Sequence, residues 1–199
     1  MNRAVKSLIV LFGFLAILTL SRHAIGSHPS STTPITSTTS VTSSSSVSTT
    51  PAGGFACLAS DFQGSFNQGQ GAAGTVYDSV TLTKVTSGSC SIKGWPMLAL
   101  QDRTGAIIPS SVIDLPTSNS PIQFPAAQAN VAPTKLTLSD GSLVTFSLAY
   151  SDVARGTEVC ASATTLNVQL VKLGSTVDVT LAYPLQPCNS ASIWVSPFY

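Results

Sequence analysis

Histidine is missing from residues 55–199 of this chain, because both histidines, His23 and His28, lie upstream. Histidine is the usual general base of enzymes and the commonest neutral metal ligand. Its absence excludes a Ser-His-Asp triad from this region, and no Ser-x-x-Lys or Gly-x-Ser-x-Gly pattern replaces the triad. Glu158 is the only glutamate, and the aspartates are dispersed. We therefore predict a protein that is not an enzyme and that holds no cofactor and no metal ion.

Charged side chains are also scarce, at 9% of the chain, whereas apolar residues make up 43%. From residue 27 onward six scattered basic residues stand against eight acidic ones, which gives a net charge of −2. No basic stripe results, and this excludes a nucleic-acid partner. The apolar fraction is sufficient for one folded domain, which we place at residues 55–199.

Residues 1–26 have the layout of an export signal. Arg3 and Lys6 precede a mainly apolar stretch over residues 8–20, and Ala24 and Gly26 offer the small side chains of a cleavage site. As a helix this stretch spans about 20 Å, less than the roughly 30 Å of a bilayer core. We predict a cleaved signal peptide and a secreted or cell-surface protein. In the alternative, the segment is retained as an anchor and is the only contact with the membrane.

Residues 27–54 form a linker between this segment and the domain. Of the 25 residues 27–51, 21 are Ser, Thr or Pro. Such a tract buries too little apolar surface to offset its backbone entropy, so we predict that it is disordered. It is either a plain spacer or an O-glycosylated stalk, and the composition suits both.

The periodicity of the domain is that of β-strands. Residues 75–84, TVYDSVTLTK, alternate between two faces, although Asp78 interrupts the apolar one. Asp140-Gly141 between two β-rich runs predicts a hairpin that joins KLTL to SLVTFSLAY. Similar runs at short intervals, separated by Pro and Gly, predict an antiparallel β-sandwich with no amphipathic helix; they cover residues 97–100, 164–171, 177–183 and 192–195.

Four cysteines behind an export signal indicate a disulfide framework. Cys57 precedes the first predicted strand and Cys90 follows the second, so an antiparallel pair brings them together. Cys160 and Cys188 bracket a later strand pair in the same way. We therefore predict the bridges Cys57–Cys90 and Cys160–Cys188. A zinc site is the rival hypothesis, and the lack of a Cys-x-x-Cys pair speaks against it.

The segment CSIKGWP, residues 90–96, has the pattern Cys-x-hydrophobic-x-Gly-aromatic-Pro within a Gly-rich and alternating stretch, residues 71–109. With its four-cysteine layout, nearly all of residues 57–199 resembles the DUF4232 family, whose members are mostly exported or lipid-anchored actinobacterial proteins. The resemblance implies an immunoglobulin-like β-sandwich and no established activity. Lys84 and Met97 depart from the family pattern, which commonly has Asn and Gly there.

The functional prediction is a secreted or cell-surface binding domain that contacts an envelope polymer or a surface protein. Alternation in Ile193-Trp194-Val195 turns Trp194 away from the core, so Trp194 is the candidate ligand-binding residue. The alternative for Trp194 is a covered sheet face, and for Trp95, Phe62 and Phe66 we favour packing over binding. The other functional classes left open are a passive structural component of the envelope and a secreted enzyme on an unusual constellation of residues.

Overall fold

The computed structural model of the protein describes residues 55–117 and 119–199. The predicted signal peptide (1–26) and linker (27–54) lie outside the described residues. Among the described residues no helix is long and apolar enough to cross a membrane. The only helical elements there are two 3₁₀ turns, Ala59–Asp61 and Ala127–Asn130. The strands are β1 Phe55–Ala56, β2 Phe62–Ala72, β3 Thr75–Lys84, β4 Cys90–Ile92, β5 Met97–Gln101, β6 Ile107–Ile108, β7 Ser111–Asp114, β8 Leu136–Leu138, β9 Leu143–Ser151, β10 Ala163–Gln169, β11 Thr176–Leu185 and β12 Ser192–Val195.

The strands form two larger sheets that pack together and a small third sheet. The five-stranded sheet has the order β2-β3-β9-β12-β7, the four-stranded sheet β11-β10-β5-β6, and the small sheet β1-β4-β8. Neighbouring strands are antiparallel except in the pairs β1–β4 and β7–β12, which are parallel. The prediction of an all-β sandwich with two disulfides is confirmed, and its immunoglobulin-like character is compatible with these packed sheets.

The main core lies between the two larger sheets. Alternate side chains of β3 and β9, such as Val80 and Phe146, face inward from the five-stranded sheet, while Leu166 and Val168 face inward from β10. Phe146 and Phe198 meet edge to face with ring centroids 5.8 Å apart. Burial of these large apolar groups is the dominant favourable term in folding.

Three aromatic residues that the sequence assigned to packing do pack against this core. Phe62 is buried, while Phe66 on the same face of β2 and Trp95 before β5 are half-buried against the main cluster. The indole Nε1 of Trp95 donates a hydrogen bond to the carbonyl of Leu115 at 2.7 Å. These side chains therefore stabilise the fold.

The predicted hairpin around Asp140-Gly141 is wrong, although the turn itself is present. Ser142 N–H donates to the Ser139 carbonyl at 3.0 Å, and Gly141 has φ +74°. The strands before and after the turn, β8 and β9, belong to different sheets. The turn instead binds the end of β3, because Gly141 and Ser142 exchange backbone hydrogen bonds with Lys84. A turn signal reports local geometry, whereas the partner of each strand depends on distant residues.

Both disulfides have the predicted pairing. Cys57 is bonded to Cys90 and Cys160 to Cys188, and no described cysteine is free. The antiparallel pairs β2–β3 and β10–β11 lie between the cysteines of each bridge, as the strand order predicted. The bridges thus hold together the open ends of two hairpins.

Candidate functional site

Trp194 lies on the face of the five-stranded sheet that points away from the main core. In β12 it pairs with Ala149 of β9 on one side and with Ile113 of β7 on the other, and Ala149 pairs with Tyr77 of β3. These residues form one row across the sheet, with Tyr77 and Trp194 both half-buried. The predicted direction of Trp194, away from the main core, is therefore correct. This part of the sheet face is nevertheless covered, as in the alternative stated for Trp194.

The cover is the segment between β7 and β8. Leu115, Phe124 and Ala129 of this segment form a second apolar cluster with Ala149 of the sheet, and Trp194 packs against that cluster. The side chain of Asn130 closes the segment on itself: its Oδ1 accepts from Phe124 N–H at 2.8 Å, and its Nδ2 donates to the carbonyls of Phe124 at 2.7 Å and Ala126 at 3.0 Å. One short loop is thereby held in a single shape over the β12 side of the sheet.

A groove opens where this cover meets the β2 side of the same face. Its volume is about 420 Å³, within the range of small-molecule sites. We call it the outer-face groove; its lining residues are Asn67, Gln68, Gly69, Gln70, Tyr77, Asp78, Ser79, Pro125, Ala126, Ser147 and Tyr199.

Tyr199 is built into the wall of the outer-face groove. Its backbone N–H and carbonyl both pair with Thr145 of β9, each at 2.9 Å. Its hydroxyl shares a hydrogen bond of 2.9 Å with the hydroxyl of Ser147. The ring of Tyr199, like that of Tyr77, also packs against the second apolar cluster. Two aromatic rings are therefore held in place beside exposed amide groups.

The amide groups are presented by a bulge in β2. The pairing with β3 shifts between Asn67 and Gln70, so that two residues of β2, Gln68 and Gly69, stand opposite the single residue Asp78 of β3. A Cβ atom on Gly69 would lie 1.7 Å from the carbonyl oxygen of Tyr77, so only glycine fits this close approach. Asn67, Gln68 and Gln70 of this bulged segment are exposed and line the outer-face groove.

The hydrogen bonds of Asp78 explain why this carboxylate interrupts the apolar face of β3. It is 4% exposed, and its Oδ1 accepts the backbone N–H of Gly69 at 2.8 Å. Burial raises its pKa above the ordinary value, while hydrogen bonds from Gly69 and the Tyr150 hydroxyl act in the opposite direction. Burial and the charge of Asp78 raise the pKa of Tyr150. Asp78 thus anchors the bulge that forms one side of the groove.

The outer face is free of charge well beyond the outer-face groove. Its hydroxyl and amide groups contact one another in a ladder: Asn67 Nδ2 donates to Thr81 Oγ1 at 3.1 Å, and Thr81 Oγ1 lies 3.2 Å from Thr145 Oγ1. We call this surface the outer-face track; the outward residues of β2, β3 and β9 that form it are Gln63, Ser65, Asn67, Gln70, Tyr77, Ser79, Thr81, Thr83, Leu143 and Thr145.

Lys84, which departs from the family pattern, is buried in a separate polar network. Its Nζ donates to the carbonyl and the hydroxyl of Thr86, and the Thr86 hydroxyl donates to Asp61 Oδ1 at 2.8 Å. The backbone N–H of Leu58, the Thr86 hydroxyl and Lys84 together lower the pKa of Asp61. This network ties the 3₁₀ turn Ala59–Asp61 to the end of β3. The other departure, Met97, is the first residue of β5 and is exposed.

The single glutamate also has a structural role. Asn189, Ser190 and Ala191 all have positive φ, between +50° and +59°. Such a left-handed turn directs successive N–H groups to one side and suits an anion. Glu158 Oε1 accepts the N–H of Ser190 at 2.6 Å, and the backbone N–H groups of this turn lower the pKa of Glu158.

Carboxylates are not paired in the five clefts that the structure shows most clearly among residues 55–117 and 119–199. These clefts, including the outer-face groove, are lined by at most one carboxylate each. No group of three or more His, Cys, Asp or Glu side chains that could hold a metal ion occurs among residues 55–117 and 119–199. The groups that line the outer-face groove are amides, hydroxyls, two aromatic rings and the buried carboxyl group of Asp78.

Sequence reasoning predicted the direction of Trp194 but did not predict the groove. It identified Trp194, whereas Tyr77, Tyr199 and the three amides of the bulge were not considered. The signal for the amides is Asn67-Gln68-Gly69-Gln70, a polar stretch with an interior glycine, which is typical of a bulge or a close backbone approach. Tyr199 carries no comparable local signal, because its place results from pairing with β9.

The fold and the groove define a disulfide-linked β-sandwich module with a groove of aromatic and amide groups that contains no basic residue. The family model described as "Domain of unknown function (DUF4232)" matches residues 57–199, so the chain belongs to this family. No curated protein and no solved structure matches the chain.

Proposed function

We propose that the protein is a non-enzymatic binding domain, secreted or held at the cell surface, that contacts an envelope polymer or a surface protein. The observation that carries this proposal is the outer-face groove, whose lining combines Tyr77, Tyr199 and three exposed amide residues with a single, buried carboxylate. Aromatic rings beside fixed hydrogen-bonding groups are the usual elements of a recognition site. Trp194, the residue proposed from the sequence, lies on the same face of the sheet but under the covering segment and outside the groove lining.

The extracytoplasmic location is supported by two kinds of observation. The structure contains two disulfides, which persist in oxidising compartments. The sequence of residues 1–26 has the order of an export signal, and the Ser/Thr/Pro tract that follows suits a spacer. In this proposal the membrane is contacted only where residues 1–26 are retained.

The non-enzymatic part of the proposal is supported by the lining of the clefts. The one carboxylate of the outer-face groove, Asp78, is buried and bound to Gly69 and Tyr150. Acid-base hydrolysis of the glycosidase kind uses two carboxylates that flank the substrate. No described cleft offers such a pair, and residues 55–199 offer no histidine in its place.

Co-sedimentation of the purified full-length protein with envelopes isolated from the cells that produce it tests this proposal. We expect saturable binding. Asn67→Lys places a long charged side chain at the exposed edge of the groove and should abolish binding. The matched control is Thr180→Lys on exposed β11, outside the groove, which should bind as the wild type. Trp194→Ala tests the sequence prediction for Trp194 separately.

The outcomes separate the alternatives. Saturable binding that survives Asn67→Lys would place the contact surface elsewhere while keeping the binding function. A lack of saturable binding by the wild type would contradict the proposal and favour a passive structural component. Circular dichroism of each variant confirms that lost binding is not lost folding.

A further inference from the structure

We propose that the polymer recognised by the outer-face groove is a neutral polysaccharide that lies along the strands of the five-stranded sheet. This inference rests on the proposed binding function and names the chemical class of its ligand. Three features of the described surface carry it: the lack of charge, the kind of polar groups, and the length of the face.

The lack of charge selects against ionic ligands. None of the residues that line the outer-face groove or form the outer-face track is a lysine or an arginine. Anionic polymers are bound through basic side chains, which release counterions on contact. Asp78 is the one acidic residue of the groove, and its carboxylate is bound to Gly69 N–H. A ligand without charge is therefore the best match.

The polar groups match sugar hydroxyls. Each amide of Asn67, Gln68 and Gln70 offers an acceptor beside a donor, which is the pattern that neighbouring hydroxyls of a sugar ring can satisfy. Gln68 and Gln70 are exposed, and neither side chain forms a hydrogen bond with another residue of the described ranges 55–117 and 119–199. The rings of Tyr77 and Tyr199 provide half-buried apolar surfaces against which the C–H face of a sugar can pack.

The length of the face favours a chain over a small molecule. From Tyr77 to Thr83 the outward positions of β3 extend for about 20 Å at the usual rise of a strand. The outward neighbours on β2 and β9, such as Ser65 and Thr145, are also uncharged and carry hydroxyl groups. An extended polymer therefore meets hydrogen-bonding groups beyond the groove itself.

A protein partner fits this surface less well. Stable protein interfaces bury about 800 Å² per partner around a core that is depleted in serine and rich in protruding aromatic residues. Here the track is mostly Ser, Thr, Asn and Gln, and the rings of Tyr77 and Tyr199 are half-buried in the groove. The ligand most compatible with such a surface is hydroxylated and extended.

The experiment treats the envelopes before binding by the full-length protein is measured. Periodate, which cleaves the vicinal diols of sugars, should abolish binding. Protease treatment, removal of phosphodiesters with cold hydrogen fluoride, and about 0.5 M NaCl should leave binding intact, because a neutral glycan offers neither peptide nor charge. If binding is lost after protease treatment, the partner is a protein. If binding is lost after hydrogen fluoride treatment or in salt, the partner is an anionic polymer. Either result overturns the inference while the binding function remains.

A pair of double variants tests the site. Gln68→Ala/Gln70→Ala should weaken binding about tenfold, because two hydrogen bonds to the ligand are lost while both side chains are exposed in the free protein. Gln123→Ala/Gln128→Ala removes two exposed glutamines of the covering segment that do not line the groove, and its affinity should equal that of the wild type. If Gln68→Ala/Gln70→Ala binds with the affinity of the wild type, the proposed site is wrong. A lack of binding to untreated envelopes would instead contradict the proposed function.

Discussion

At the residue scale, the buried carboxyl group of Asp78 makes the stability of the fold depend on pH. Its pKa is raised above 3.8, mainly by burial. The contribution of such a group is fully present below the unfolded pKa and is lost as the pH rises through the folded pKa. Asp78→Asn cannot ionise, so we expect its stability relative to the wild type to increase as the pH rises from about 3 to about 7. Urea unfolding at several pH values measures this.

Glu158→Gln is the control, because its stability relative to the wild type should change with pH in the opposite direction. Hydrogen bonds from the backbone lower the pKa of Glu158 below 4.5, so its contribution is present above the unfolded pKa and is lost as the pH falls through the folded one. The relative stability of Glu158→Gln should therefore decrease over the range in which that of Asp78→Asn increases. Parallel pH profiles of the two variants would contradict the environments assigned to these carboxyl groups.

Two glycines of β2 differ sharply in the space around them. Gly69→Ala would place its Cβ 1.7 Å from the backbone oxygen of Tyr77, and we expect a loss of about 2 kcal/mol in the free energy of unfolding. In Gly71→Ala the nearest atoms lie 3.6 Å away, so the change should stay within about 0.5 kcal/mol. Urea unfolding compares the two, and equal losses would show that the bulge can move aside. Gly69→Ala should also weaken envelope binding, since the bulge carries the groove amides.

At the scale of the element, the turn of the β2–β3 hairpin can be made more stable by one substitution. Ala73 and Gly74 have φ +50° and +79°, the signs of a type I′ turn, in which Asn-Gly is favoured. A left-handed conformation costs alanine about 1–2 kcal/mol, whereas asparagine visits it readily. Ala73→Asn should therefore stabilise the protein by about 1 kcal/mol and raise Tm by about 3 °C. Ala72→Asn, at an exposed position without positive φ, should give no gain in thermal unfolding.

The elements themselves were largely predictable, and their partners were not. The runs at 75–84, 97–100, 177–183 and 192–195 form strands, and the run at 164–171 does so up to Gln169, because alternation and β-branched residues act within each segment. The Asp140-Gly141 turn was also predicted, but it connects two sheets. Asp78 shows the same limit: its partners Gly69 and Tyr150 come from β2 and β9, which no local pattern relates to it.

At the scale of the whole molecule, the two disulfides should contribute similar stability. They close loops with sequence separations of 33 and 28 residues, and the chain-entropy relation gives about 3.5 kcal/mol for each. We expect Cys57→Ala/Cys90→Ala and Cys160→Ala/Cys188→Ala to lower the free energy of unfolding by about this amount. Chemical denaturation of both double variants beside the wild type measures it. A loss below about 1 kcal/mol in either would show that the bridge hardly restrains the unfolded chain.

Composition, periodicity and cysteine order were enough to establish the all-β class, the disulfide pairing and the direction of Trp194, because each follows from short-range alternation or from strand order. These sequence features did not predict the outer-face groove. Its bulge depends on a buried carboxylate in the next strand, and its walls combine Pro125 and Ala126 of the covering segment with Tyr199 paired to β9. These contacts join residues far apart in the chain, and only the packing of the sheets brings them to one place.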